Sequence, residues 1–123
     1  MADAPTSIDK LKKRSEFLAC AQAPSHAKGA VVVQALARGD DDDRIRVGFT
    51  ATKRIGGAVE RNRAKRRMRE AARLILPLHG QPGFDYVIIA RGGTIRRPWD
   101  RLLDDVKTAL IRLAADSAAT HIP

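Results

Sequence analysis

Aromatic side chains make up only 4% of the 123 residues: three Phe, one Tyr and one Trp. A core built from this chain must therefore rest on Val, Ile, Leu and Ala, and stacking surfaces are few. Cysteine is rarer still. Cys20 stands alone, which excludes an internal disulfide and fits a reducing compartment. No apolar run approaches the roughly 20 residues that a membrane-spanning helix requires. The opening MADAPTSIDKLKKRSEF has no apolar segment of the kind found in secretory signals. These absences lead to the expectation of a cytoplasmic protein with no membrane partner. The length suits one domain able to bury roughly two thirds of its unfolded surface.

Candidate catalytic groups are scarce too. His26, His79 and His121 lie far apart with no metal-ligand spacing, and no Ser/His/Asp set or pair of catalytic carboxylates stands out. There is no GxxxxGK[ST] phosphate loop. Asp40–Asp43 lack the spaced ligands and glycine of a calcium loop and read as a solvated turn. Cys20 reads as a small buried residue. On this basis the polypeptide carries no catalytic site, no metal site and no small-molecule cofactor of its own.

Charge is what the chain has in excess. The formal net charge is +9, and it is unevenly spread. Between Lys53 and Arg73 nine basic residues face two acidic ones, a local net of +7, whereas the other 102 residues carry only +2. Such asymmetry points to nucleic acid or an anionic surface. In the stretch RNRAKRRMRE, Arg61 to Glu70, six of ten residues are Arg or Lys. A merely solvated helix usually interleaves Glu with Lys at i,i+4. Here no acid balances the cluster, and most of the cations are Arg, whose planar fork matches phosphate.

Hydrophobic periodicity supplies the framework. Residues 8–21 read as an amphipathic helix with Ser7 as a possible N-cap, broken at Pro24 and Ser25; residues 1–6 and 119–123 read as tails. GAVVVQALA (29–37) and RIRVGFTAT (44–52) read as strands joined through Gly39 and the aspartates as a hairpin. KRIGG is a loop leading into a helix over 58–76, with Ala64, Met68, Ala71, Ala72 and Ile75 as its buried stripe and Pro77 as its stop. FDYVIIA (84–90) is a buried strand, and Pro98 opens a last amphipathic helix to about 118. The strand–helix–strand unit 44–90 requires parallel pairing of its strands. Tyr86 and Trp99 read as core. Phe17 reads either as core or as a platform for single-stranded bases. The expected class is a single-domain α+β sandwich with helices packed on a small sheet.

The run RVGFTATKRIGGAVERNRAKRRMREAAR, Arg46 to Arg73, resembles the signature region of the protein subunit of bacterial ribonuclease P. Its centre is Arg61-Asn62-Arg63 followed by Lys65, Arg66 and Arg69. Val47-Gly48-Phe49, Lys53-Arg54, Gly56, Ala58-Val59, LKKRSEF (11–17) and FDYVIIAR (84–91) fit as well, in order, over most of residues 10–92. The chain departs from the family at Ala21, where many relatives carry a second aromatic, at Gln34, where some carry Tyr, and at Gly57, which replaces a common Asn.

The resemblance implies an αβββαβα order with a small mixed sheet and a left-handed parallel βαβ crossover, although chain physics alone favours the right hand. It implies a protein that assists a catalytic RNA in cutting the 5′ leader from precursor tRNA, with Mg2+ held mainly by the RNA. Arg61, Asn62, Arg63, Lys65, Arg66, Arg67 and Arg69 would then face the catalytic RNA. Phe17, with Lys13, Arg14, Lys53 and Arg54, would serve the leader. Three other classes compete: a binder of structured ribosomal RNA, a DNA-binding protein with helix 58–76 in the major groove, and a protein-only nuclease. The second is weakened because few side chains there other than Arg and Lys could read base edges. The third lacks a carboxylate cluster.

Overall fold

Strand β5 (Phe84–Ala90) is apolar on both faces, and that places it at the centre of a sheet. In the computed structural model, which describes residues 8–120, the five strands lie in the order β1-β4-β5-β3-β2. β4 (Ile45–Thr50) runs parallel to β5 on one side, and β3 (Val31–Ala37) runs antiparallel on the other, paired along its whole length from Val31↔Ala90 to Ala37↔Phe84. The expected parallel unit is therefore present. The expected hairpin between 29–37 and 44–52 is not, because β5 is inserted between those two strands. The aspartate segment instead crosses from one to the other past the start of β5.

Two edge strands were not anticipated as such. Ile8–Lys10, expected as the first turn of a helix, is β1, parallel to Ile45–Val47. The helix itself, α1, spans Arg14–Ala21. It starts there because the Glu16 carboxylate accepts hydrogen bonds from the N–H groups of Lys12 and Lys13, both at 2.9 Å, and so closes the helix N-terminus. The N-cap role considered for Ser7 lies outside the described residues, as do residues 1–6 and, of the tail expected over 119–123, residues 121–123; Ala119 and Thr120 instead belong to the last helix, Trp99–Thr120. Beyond Pro24, Ser25–Lys28 forms β2, antiparallel to β3.

Alternation along the strands separates two faces. Val31, Val33, Ala35, Ile45, Val47, Tyr86, Ile88 and Ala90 point to one side, where they pack against α2 (Ala58–His79) and α3 (Trp99–Thr120). Leu11, Cys20 and Val87, with Phe17, Leu36 and Ile89 against them, form a smaller cluster under α1 on the other side. Cys20 is fully buried, and desolvation pushes its thiol up to about 11. Pro77 does not stop α2. It sits in the last turn, where the missing N–H costs a single bond, and the Gly80 N–H still reaches the Leu76 carbonyl at 2.8 Å. The buried stripe of α2 is Ala64, Met68, Ala71, Ala72 and Leu76; Ile75 is only half-buried. Trp99 is a further correction. It is 39% exposed, with the Arg67 guanidinium 5.8 Å from its ring centroid.

Asp85 interrupts the apolar run of β5 and is 2% exposed. Arg46 grips it with two hydrogen bonds, from Nε at 2.8 Å and Nη2 at 2.7 Å, and Arg38 adds a third at 2.8 Å. The third donor of Arg46, Nη1, reaches Glu16 at 2.6 Å. One guanidinium thus ties the first turn of α1 to the middle of the sheet. This bond set, the hydrogen bonds to Asp85 foremost, raises the Arg46 pKa further above its ordinary value. A second buried carboxylate, Asp105 on α3, accepts from the Ala30 N–H at 3.0 Å and from Arg97 at 2.9 and 3.0 Å. Gly29, at φ +54°, is where α3 comes closest: a Cβ there would collide with the Asp105 carboxylate.

Candidate nucleic-acid interface

The helix that carries the basic cluster is held rigidly. Its apolar stripe is sealed against the sheet and α3, so its opposite arc must face outward. The entry is fixed by a short 3-10 turn, Lys53–Ile55, and by Gly56, whose φ of +141° only glycine adopts readily. Asn62, Arg63, Arg66 and Arg69 are exposed; Arg61 and Lys65 are half-buried. Arg61 bends back toward the Gly57 carbonyl at 3.4 Å. Among the described residues no carboxylate pairs with Lys53, Arg54, Arg61, Arg63, Lys65, Arg66 or Arg69; on this helix only Arg73 does, with Glu70 at 3.1 Å. Seven neighbouring cations without counter-ions repel one another, a cost that a bound polyanion relieves.

Arg67 is placed apart from this set. Its guanidinium turns inward and donates to the carbonyls of Thr94 at 2.6 Å, Ile95 at 2.8 Å and Arg97 at 2.6 Å. It staples the loop between β5 and α3, and the expectation that it faces RNA with its neighbours is corrected accordingly.

A groove of about 740 Å³ opens between α1, the edge formed by β1 and β4, and α2. β1 covers only Ile45–Val47, so Gly48 and Phe49 of β4 reach the groove wall. Gly48 has no side chain because Phe17 occupies that space: a Cβ would lie 2.4 Å from two atoms of the ring. Phe17 therefore packs on the sheet beside Gly48, partly in the small core, as the core reading expects, and partly on the groove wall. Along the opposite wall stand Lys65, Arg69 and Arg73, with the Arg69 guanidinium 5.7 Å from the Phe49 ring centroid. The groove thus joins apolar and aromatic surface to a line of cations. Asp9 and Glu70 are its acidic members.

The residues expected to act together are divided differently in space. Phe17 shares the groove with Lys65 and Arg69, which sequence reasoning assigned to another partner. Arg54 shares a second, smaller cavity with Arg63, Arg91 and Arg96. Lys13 and Arg14 are exposed at the start of α1, and Lys53 is exposed in the turn before α2. Lys10, Arg91 and Arg96 were not singled out beforehand, although the sequence RGGTIRRP carried a signal in its basic residues around two glycines. Among the described residues no three His, Cys, Asp or Glu side chains are placed to hold a metal ion, so this donor set does not fit a resident Mg2+. Among the described residues no helix is long and apolar enough to cross a membrane.

Comparison with known proteins gives one consistent result. Residues 7–114 match the family model described as Ribonuclease P. A ribonuclease P protein component from Caulobacter vibrioides is 66% identical over 118 residues, covering 94% of this chain and 79% of the relative. Another, from Ruegeria pomeroyi, is 53% identical over 114 residues and 91% of each chain. Among solved structures, the RNase P protein from Thermotoga maritima superposes with a TM-score of 0.72 at 27% identity, over 85% of this chain and 96% of that one. The Staphylococcus aureus RNase P protein gives 0.69 at 25% identity, over 85% and 94%. The chain belongs to the ribonuclease P protein family, whose members associate with RNA and serve tRNA 5′-end processing as subunits of an endoribonuclease holoenzyme.

Proposed function

We propose that the exposed arc of α2 holds the catalytic RNA of ribonuclease P while the groove beside Phe17 takes the single-stranded 5′ leader of precursor tRNA. The observation that carries this reading is the uncompensated row Arg61, Arg63, Lys65, Arg66 and Arg69 on a helix whose other face is locked into the core. Asn62 stands within the same arc and adds a neutral hydrogen-bonding group. In this reading bond cleavage belongs to the RNA and to Mg2+ bound there; among the described residues no three His, Cys, Asp or Glu side chains are placed to hold a metal ion. The protein's contribution is electrostatic: each phosphate neutralised releases condensed counterions and lets two polyanionic RNAs approach.

Leader recognition follows from the groove. Phe17 offers a face on which a base can stack, and Lys65 and Arg69 stand across from it for the backbone. Lys13 and Arg14, at the start of α1, extend the cationic path beyond Phe17. Lys53 and Arg54 flank the other end of α2. Because Lys65 and Arg69 line the groove and also stand on the α2 arc, leader and catalytic RNA are held side by side. The site of action is the cytoplasm, where tRNA precursors are processed. The test is cleavage of precursor tRNA by the catalytic RNA at low Mg2+, with and without this protein. Stimulation that depends on the presence of a leader supports the reading; no stimulation at any salt overturns it.

A further inference from the structure

Helix α1 has little apolar surface to hold it in one place. It spans only eight residues, Arg14–Ala21, too few to be stable alone. Cys20 is its one buried residue, and the small cluster beneath the helix supplies attraction without direction. Yet Phe17 fits a slot of fixed shape, with its ring 2.4 Å from where a Cβ of Gly48 would stand. Two links join the same pair of elements. Arg46 and Gly48 are two residues apart on β4, and so on one face of it. Glu16 and Phe17 are neighbours on α1. Arg46 meets Glu16, and Gly48 meets Phe17.

The polar link is directional at both ends. Glu16 Oε1 accepts from the Lys12 and Lys13 N–H groups at 2.9 Å, and Oε2 accepts from Arg46 Nη1 at 2.6 Å. Both carboxylate oxygens are committed, which fixes the side chain's orientation. Arg46 is fixed in turn by Asp85, its register partner on β5, through Nε at 2.8 Å and Nη2 at 2.7 Å. Asp85 is itself buried and held by Arg38 Nη1 at 2.8 Å. The ion pair is largely shielded from solvent, with 19% of the Glu16 side chain and 26% of the Arg46 side chain exposed. Charge-assisted bonds of this length are strong as well as directional. Neither Glu16 nor Arg46 lines the groove, whereas Phe17 does.

We infer that Glu16 and Arg46 are positioning residues for leader recognition: their ion pair sets where Phe17 lies over Gly48, and so presents the ring to a base in the groove. The inference rests on the leader reading of the groove and adds to it two residues that need touch no nucleotide. A role confined to the fold would make Arg46 a charge partner for buried Asp85. That role needs no bond to Glu16, and Arg38 already supplies a second cation there. The bond to Glu16 uses the remaining edge of a planar fork, which a lysine cannot reproduce. With the link cut, α1 keeps its cap and its apolar cluster, but Phe17 samples more than one position. Ordering the ring then opposes stacking.

Two variants cut the link and keep the rest. In Glu16→Gln the amide oxygen still accepts from the Lys12 and Lys13 N–H groups, while its NH2 faces Arg46 donor to donor. Arg46→Lys keeps the charge beside Asp85 and loses the fork. The holoenzyme is reconstituted with the full chain, and its affinities for leader-bearing precursor and mature tRNA are measured as a ratio. The set is wild type, both variants, Phe17→Ala, and Glu16→Gln with Phe17→Ala, each first shown to unfold cooperatively. On the free protein, the Gly48 α-proton shifts report the ring current of Phe17. Both link variants are expected to lower the ratio about 5- to 10-fold through weaker precursor binding, the low end of what a base–aromatic stack supplies. They are also expected to move the Gly48 signals. The double variant is expected to fall no lower than Phe17→Ala, because the pair acts through that ring. Charge alone would act the other way, since Glu16→Gln removes a negative group and favours RNA binding at large. If Phe17→Ala lowers the ratio and the link variants do not, the positioning inference fails and the leader reading stands. If Phe17→Ala leaves the ratio unchanged, both fail. Additive losses in the double variant, or Gly48 signals that stay in place, would show that the pair acts by another route and overturn the inference.

Discussion

Two sets of arginines in this chain have opposite surroundings. Arg38, Arg46 and Arg97 are held by buried carboxylates, Asp85 and Asp105, and knit helices to the sheet. Arg54, Arg61, Arg63, Arg66 and Arg69 have no carboxylate partner among the described residues, although they stand on or next to a rigid helix. Acids are not scarce in the molecule; there are fourteen. Asp85, Asp105 and Glu16 stand beside the arginines that hold the fold, whereas Glu60 and Glu70, on α2 itself, form no ion pair with any of the others. The same side chain thus acts as an internal tie in one region and, in the proposed function, as a phosphate contact in the other.

The largest expected effect comes from breaking the first set. Asp85→Ala leaves two guanidinium groups facing a buried space with no partner, and urea unfolding is expected to show a loss of about 3–5 kcal/mol. A loss below about 1 kcal/mol would mean that the network is incidental to the fold.

Next is the groove. Phe17→Ala is expected to weaken binding of leader-bearing precursor by about 1–3 kcal/mol, as for a lost base–aromatic stack, with mature tRNA unaffected. Gly48→Ala, which forces the Phe17 ring off the sheet, is expected to reproduce that selective loss in competition binding. Equal weakening of precursor and mature tRNA would remove Phe17 from leader recognition.

A smaller effect concerns Glu16. Hydrogen bonds from the Lys13 and Lys12 N–H groups, with Arg46 nearby, hold its carboxyl below the ordinary 4.5. The folded value is depressed, so this group's stabilisation is complete above 4.5 and is lost as pH falls through the lower folded value. Denaturation curves across that acidic range are expected to be flatter for Glu16→Gln than for the wild type, and an unchanged curve would contradict the capping role. Smallest of all, Arg66→Ala is expected to move unfolding free energy by no more than about 0.5 kcal/mol. A larger destabilisation would place Arg66 with the structural arginines and blur the comparison.

How much of this was legible in the sequence depends on range. The parallel unit around α2 declares itself through local periodicity, and the cation cluster through composition. β1 and β2 do not, because IDK and SHAK have no apolar run and owe their conformation to pairing with distant strands. The aspartate segment looks like a hairpin turn until β5 claims the place beside β3. Asp85 sits in an apolar run, and its partners at 38 and 46 are remote in sequence. Arg66 and Arg67 are indistinguishable as letters; a single step of about 100° around the helix sends one to solvent and the other into the β5–α3 loop. The groove and the second cavity are each assembled from several separated segments, which explains why residues assigned to one partner appear beside residues assigned to the other. Family resemblance pointed to the basic helix and Phe17 and extended as far as Arg91, but it gave neither Arg91 nor Arg96 a role.

The central claim is that the unpaired α2 arginines bind the catalytic RNA through its phosphates. Its most direct test is the salt dependence of catalytic-RNA affinity for the wild type and for Arg61→Ala with Arg63→Ala, both shown to be folded. The account predicts a steep negative log–log slope for the wild type and a slope shallower by about 1.4–1.8 for the double variant. Superimposable lines, with equal affinities at every salt concentration, would contradict it.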